Sequence, residues 1–253
     1  QIYTLSLIMV SKNQLKFLKS LNLSKFRNKN NMFIVEGWRS IQDFINSDHK
    51  LVSIFATSSW INLNNNIKNI IQINQEDLNK VSSLKNPNQV LAIFEKKKFK
   101  SLSNVNFKKI VVFLENISNP GNLGTIVRTC DWFGLNTIVC SENSVDVYNP
   151  KVIQSSMGSL SRVNVVYSST DLFLSFINKK KVVKLVADLE GENVLSMTKI
   201  SSGVLFFGNE SKGISEKIKK HSFKKITIPK KVSNCESLNL SVSFGIILSK
   251  LLN

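Results

Sequence analysis

Between residues 109 and 251 the chain alternates short apolar runs with segments of helical spacing, a rhythm that few folds accept. The runs are KIVVFLE (109–115), NTIVC (136–140), VNVVY (163–167), KVVKLVA (181–187), VLFFG (204–208) and KITIP (225–229). Helices are predicted near 122–133, 149–157, 171–178 and 239–251, the last with Leu240, Phe244, Ile247, Leu248 and Leu251 at helical spacing. Such alternation predicts a mostly parallel sheet with helices on both faces. Ligands of open sheets of this kind sit beyond the carboxyl ends of the strands. Three loops lie at those ends: NPGNLGTIVR (119–128), GNESKGIS (208–215) and IPKKVSNCESLNLSVS (228–243).

The first half reads as a smaller α/β domain. Helical spacing covers 11–20 and 36–46, where Trp38, Ile41, Phe44 and Ile45 share a stripe. LVSIFA (51–56) and QVLAIF (89–94) read as strands, and EDLNKVSSL (76–84) as a helix between them. The segment EKKKFKSLSNVN (95–106) is polar, basic and aperiodic and marks the boundary. The expected domains are therefore 1–97 and 107–253, with a linker at 98–106.

Taken singly, each strand-end loop is compatible with plain turn chemistry. Pro-Gly and Gly-Asn turn a chain, and Ser237 suits a helix N-cap. Three such loops in one half, holding Asn122, Arg128, Glu210, Ser237 and Asn239, point instead to a site. The first loop is neither G-x-G-x-x-G nor a P-loop, so a phosphate cradle does not explain it.

Charge narrows the partners. A net charge of +17 favours polyanions, nucleic acid foremost. The excess is no basic tail: residues 1–105 carry 15 basic and 6 acidic side chains, and 106–253 carry 19 and 11. Only four of the 34 basic residues are arginine (Arg27, Arg39, Arg128, Arg162) in a chain rich in Asn, Ile and Lys. Arginines that survive such a composition mark places where a planar, forked cation is needed. Cys130, Cys140 and Cys235 form no C-x-x-C pair and His49 lies far from His221, so neither a disulfide framework nor a metal site is expected. No apolar run reaches the roughly 20 residues of a membrane helix. The opening QIYTLSLIMV lacks the flanks of a signal peptide, and Met9 reads as a start, so a cytoplasmic location is expected.

The loops carry a resemblance. In order and spacing, NPGNLGTIVRTCDWFG, LFFGNESKGIS and ITIPKKVSNCESLNLSVSFGIIL resemble the three motifs of the SpoU/TrmH family of RNA ribose 2′-O-methyltransferases, in the SPOUT superfamily. VYNPKVIQSSMGSLSRVNV is similar to the family's connecting segment, and LKFLKSLNLSKFRNKNNMFIVEGWRSI to its L30e-like substrate-binding module. Ser243 stands where the family often has Ala, and Gln154 where it often has Arg. The resemblance implies an α/β SPOUT domain with a parallel sheet and a deep trefoil knot, a small N-terminal L30e-like α/β domain, and a homodimer.

The resemblance also implies S-adenosylmethionine as cofactor, held by Phe207, Gly208, Asn209, Gly213, Ile228, Leu238 and Asn239. It implies RNA as partner, with Arg27, Arg39 and Arg162 contacting it. Arg128 would orient or deprotonate the ribose hydroxyl, Asn122 and Glu210 would position it, and Ser237 and Asn239 would line the site. These five are the expected catalytic residues, and no metal is expected. The module is closer to that of rRNA-directed relatives, so 23S ribosomal RNA is the expected substrate and tRNA the alternative. A non-catalytic RNA clamp of the same fold, or a DNA or protein methyltransferase, are the readings of a different class.

Overall fold

The computed structural model describes residues 8–67, 69–98, 101–221, 223–231, 234 and 236–252. Cys235 and most of the opening apolar stretch lie outside them. The strands, in chain order, are β1 Ile8–Met9, β2 Met32–Glu36, β3 Leu51–Ala56, β4 Ile70–Gln72, β5 Val90–Glu95, β6 Ile110–Leu114, β7 Thr137–Ser141, β8 Asn164–Ser168, β9 Lys184–Asn193, β10 Gly203–Phe207 and β11 Lys224–Thr227. The α-helices are α1 Lys12–Ser20, α2 Ser24–Asn30, α3 Trp38–Ile45, α4 Ser58–Leu63, α5 Gln75–Val81, α6 Pro120–Trp132, α7 Pro150–Ser156, α8 Thr170–Asn178, α9 Glu216–Lys219 and α10 Leu240–Leu252. They divide into two units, Gln1–Lys97 with Tyr148–Ser161, and Lys98–Val147 with Arg162–Asn253. The segment holding α7, which chain continuity assigned to the second domain, packs with the first.

The first unit is built on a mixed sheet of order β1-β4-β3-β5-β2, with β2 and β3 antiparallel to β5. Alternation sends its side chains to two cores. Ile34, Leu91 and Ile93 join Leu18, Leu21, Leu78 and Val81 of α1, its C-cap and α5 on one face. On the other, Phe33 meets Phe44 at 5.5 Å, Phe94 at 6.0 Å and Tyr148 at 4.5 Å. α1 starts at a reciprocal cap in which Ser11 and Gln14 satisfy each other's backbone N–H.

The second unit is a six-stranded, fully parallel sheet of order β11-β9-β10-β6-β7-β8. Every residue of IVVFL in β6 and GVLFF in β10 is buried, as central strands covered on both faces require. Phe113, Phe206 and Val204 pack with Phe173 and Ile177 of α8 and Ile218 of α9. The alternate residue Phe207 meets Phe244 of α10 at 5.0 Å, edge to face. α10 packs on α6. The run expected to end at residue 187 continues as β9 to Asn193, because its polar end pairs with β11 through a register shift at Lys225/Ile226. Cys130 and Cys140 are free and buried, and burial pushes their thiols well above the ordinary range. Among the described residues no helix is long and apolar enough to cross a membrane, and no group of side chains could hold a metal ion.

One buried histidine makes the first unit sensitive to acid. His49 lies against Phe33 and Phe44, with its Nδ1 3.0 Å from the Ser47 hydroxyl. Burial, and then the nearby Lys97, lower its pKa from 6.5 to about 4. The unfolded chain therefore takes up this proton first, so the contribution is full above about pH 6.5 and is lost as pH falls towards 4. Replacing His49 with Phe should flatten this limb. We expect the urea midpoint to fall less for His49→Phe than for the parent chain between pH 6.5 and 4. Equal slopes would refute the assignment.

Candidate active site

β6 and β10 are neighbours, and the register pairs Leu114 with Phe207, so the chain leaves both strands at the same edge. The loop after β6 is anchored at Asn116, in the left-handed region at φ 55°. Its N–H donates to Ser141 Oγ at 2.7 Å, and its carbonyl accepts from Asn209 Nδ2 at 2.7 Å. The loop ends where Asn119 caps α6, its Oδ1 accepting the N–H groups of Gly121 and Asn122 at 2.8 and 3.3 Å, with Pro120 at the first helical position. The amino terminus of α6 is thus closed by its own side chain and offers no open anion cradle.

The loop after β10 is a tight hairpin. Asn209 and Gly213 exchange both backbone hydrogen bonds at 3.0 and 2.9 Å. A Cβ on Gly208 would stand 2.2 Å from the Gly213 carbonyl carbon, so only glycine fits there. Gly213 has φ 65°, which favours glycine again. Asn209 Oδ1 closes the turn by accepting from the Ser211 hydroxyl at 3.0 Å and the Lys212 N–H at 3.0 Å.

Glu210 joins this hairpin to the first loop. One carboxylate oxygen accepts the Ser118 N–H and hydroxyl at 3.2 and 3.1 Å; the other accepts the Asn119 N–H and Asn122 Nδ2, both at 3.1 Å. Burial alone would raise the pKa of Glu210, but these hydrogen bonds outweigh it and lower the value. The ionised carboxylate only accepts, and that fixes how its neighbours turn. Asn122, 7 % exposed, must turn its amide nitrogen to Glu210 and its oxygen away. That oxygen accepts Asn239 Nδ2 at 3.0 Å. Asn239 Oδ1 then faces α10 and accepts from the Ser241 N–H and hydroxyl at 2.9 and 2.7 Å. One carboxylate and two amides therefore tie together all three strand-end loops.

The other expected residues divide. Arg128 is exposed on α6, outside this relay. It lies six residues beyond Asn122, about 9 Å along the axis and on another stripe, with Thr125 and the 86 % exposed Trp132. Ser237 and Leu238 are exposed in the segment leading to α10, and Ile228 follows β11, half-buried. Phe207 turns its ring into the core against Phe244, and its carbonyl accepts the Glu115 N–H at 2.8 Å.

Two of the arginines expected to contact RNA have partners within the protein. Arg27 is 2 % exposed and donates to the carbonyls of Leu21 and Asn22 at 3.1 and 2.9 Å, where it closes the turn after α1. Arg162 grips Asp131 of α6 through Nε and Nη2, the shortest contact 2.8 Å. Arg39 is exposed and lines a cleft with Glu36, Trp38, Asn88 and Gln154, and Arg162 is exposed as well.

Glu115 escaped the sequence reading. It is buried at the end of β6, and its carboxylate accepts the Ser215 N–H and hydroxyl at 2.8 and 2.6 Å and the Thr170 hydroxyl at 3.3 Å, holding the chain that leaves the hairpin. An acid closing an otherwise apolar strand was the available signal.

This arrangement, a parallel sheet with three glycine- and asparagine-rich loops drawn to one edge, is shared with SpoU/TrmH methyltransferases of the SPOUT class. Residues 109–249 match the SpoU rRNA Methylase family and residues 12–92 the MRM3-like substrate binding domain. The chain belongs to the SpoU rRNA Methylase family, S-adenosylmethionine-dependent RNA methyltransferases. It is similar to the 23S rRNA (guanosine(2553)-2′-O)-methyltransferase RlmP of Bacillus subtilis (strain 168), 24 % identical over 94 % of this chain and 96 % of the relative. Two solved structures share the fold. One is an AdoMet-bound rRNA methyltransferase from Sinorhizobium meliloti (TM-score 0.84, 22 % identity, 97 % of this chain and 96 % of that one). The other is the SpoU methyltransferase AviRb from Streptomyces viridochromogenes with AdoMet (TM-score 0.83, 22 % identity, 95 % and 97 %). The expected fold class, a SPOUT α/β domain with a parallel sheet plus a small L30e-like α/β domain, is the one observed.

The residues fit that cofactor. S-adenosylmethionine carries no phosphate, in keeping with the self-capped start of α6. The hairpin 208–213 offers backbone at close approach, and Leu238, 47 % exposed beside Asn239, leaves apolar surface at the same loops.

The relay gives a direct expectation. In Glu210→Gln an amide nitrogen faces donors that only an acceptor can satisfy, at a cost of about 1–3 kcal/mol. We expect urea unfolding to show that loss and calorimetry to show S-adenosylmethionine affinity at least tenfold weaker. Unchanged stability would mean that the carboxylate is not what holds the loops.

Proposed function

We propose that this chain methylates a ribose 2′-hydroxyl of 23S ribosomal RNA. The observation that carries this reading is the Glu210–Asn122–Asn239 relay, which holds three loops at the edge from which α6 extends Arg128. The similarity to RlmP along nearly the whole chain supports the choice of RNA. The MRM3-like match in the first unit, with Arg39 exposed in its cleft, supports a dedicated substrate-binding part.

The cofactor supplies a methyl group already activated on a sulfonium. A ribose hydroxyl is a poor nucleophile, so the chain must align it and let its proton leave as the carbon–oxygen bond forms. Guanidinium is a weak proton acceptor but a strong, planar, two-pronged donor. Arg128 is assigned to grip the hydroxyl oxygen and a neighbouring phosphate, which orients the lone pair and stabilises charge as the proton passes to solvent water. Asn122 and Glu210 act as positioning residues that fix the start of α6. Gly208, Asn209, Gly213, Ile228, Leu238 and Asn239 are assigned to the cofactor, and Ser237 to the mouth of the site.

If Arg128 were only a surface cation, Arg128→Lys would cost a few-fold at most. If its fork is needed, single-turnover methylation with saturating RNA should slow by about 100-fold or more, while S-adenosylmethionine affinity stays within a few-fold. A Lys variant of near-parental rate would remove Arg128 from the chemistry. Purified chain should methylate unmodified 23S rRNA and leave tRNA untouched; the reverse preference would move the target to tRNA.

A homodimer belongs to the same proposal. Four of the five expected residues of α10 are buried in the second unit, and Val242, Leu238 and Trp132 remain exposed as apolar side chains that a second copy could cover. We expect a dimer by sedimentation at micromolar concentration. A fully active monomer would contradict it.

A further inference from the structure

The end of the second unit's sheet opposite the relay is lined with lysine. Lys108 and Lys109 precede β6, Lys179, Lys180 and Lys181 precede β9, and Lys199 precedes β10. These three strands are adjacent in the order β9-β10-β6, so the lysines of three separate segments gather on one edge. All six are exposed. The direction of α10 marks the same edge: it begins at Asn239 beside the relay and ends where Leu251 accepts the Ile200 N–H at 2.9 Å.

Carboxylates are kept away from it. The ion pairs of Lys217, Lys219, Lys224 and Lys225 use Asp171, Glu216, Glu192 and Asp188. None of the six edge lysines has a carboxylate partner among the described residues. Asp131, at the far end of α6 from the relay, is taken by Arg162. Local structure presents the cations outward. Lys184 Nζ donates to the carbonyls of Lys180 and Val182 at 3.0 and 3.3 Å, which closes the turn carrying three of them. Lys180 Nζ lies 5.1 Å from the Phe176 ring and 6.0 Å from that of Phe107. Six like charges on neighbouring segments repel one another, and apart from the contact of Lys180 with Phe176 and Phe107 no described ion pair offsets that repulsion. A drift from Arg to Lys explains the residue type but not the missing acids.

We propose that this edge is a second RNA-binding surface, which takes the phosphate backbone of the substrate at least about 16 Å from the methyl-transfer loops, the length of a five-residue strand. It rests on the RNA substrate proposed above. Phe107 and Phe176 pack on the core, so the edge offers cations without stacking platforms. It positions RNA and reads no sequence. The substrate then reaches around the sheet, and the edge contributes to affinity rather than to the chemical step.

The test compares the parent chain with Lys108→Gln/Lys179→Gln/Lys181→Gln/Lys199→Gln, using unmodified 23S rRNA transcribed in vitro. A control, Lys217→Gln/Lys219→Gln/Lys224→Gln/Lys225→Gln, changes net charge equally. At about 100 mM salt, half-saturation by RNA should rise tenfold or more in the edge variant, and the slope of log affinity against log salt should become shallower by about three. The single-turnover rate at saturating RNA should stay within about twofold of the parent, since contacts to phosphate act on binding. Unchanged affinity and slope, or an equal loss in the control, would overturn the edge as a site. A parent chain that methylates no RNA would instead sink the substrate reading.

Discussion

A carboxylate that can only accept hydrogen bonds sets the order of this active site. Glu210 sits where the hairpin after β10 meets the loop after β6, and four donors of that loop and of α6 converge on it. Because it cannot donate, Asn122 can present only its nitrogen, and each amide orientation beyond is set by elimination. The result reaches Asn239 and the cap of α10, in a segment 117 residues away from Asn122 in the chain. Without a carboxylate at position 210 the four donors would lose the acceptor they share, and the three loops would lose their common reference.

The sheet makes that relay possible. Parallel register places the ends of β6 and β10 side by side, and Gly208 and Gly213 let the hairpin close tightly enough to aim Glu210 at its neighbours. Glu115 holds the exit of the same hairpin from inside the core. Two acids thus pin the loop at both ends, while Arg128 stands exposed outside the network. That division suits chemistry in which the enzyme mainly aligns an oxygen with an already activated carbon.

Much of this was legible because buried parallel strands are written as continuous apolar runs. β6, β7, β8 and β10 fall within a residue or so of where those runs stand, and α6, α8 and α10 follow the helical spacing between them. Short or polar elements were not legible. β4 has three residues, α4 lacks a stripe, and the outer half of β9 is polar because it pairs at an edge. Residue types at the three loops announced a site, but partners did not. Arg27 has the same composition signal as Arg128, and only the fold shows that it serves the carbonyls ending α1. Phe207 has the right position in its motif, yet strand alternation turns its ring into the core. Tertiary direction, unlike residue type, is not local information.

The central claim is that Asn122 and Glu210 act as one unit in aligning the transfer. A double-mutant cycle tests it most directly, with Asn122→Ala, Glu210→Ala and the pair compared by single-turnover methyl transfer at saturating RNA and cofactor. Residues that work through one shared hydrogen bond lose their effect together, so the double variant should be no slower than about threefold below the worse single variant. Losses that multiply, each replacement costing its full factor in the presence of the other, would show two independent contributions and contradict the relay.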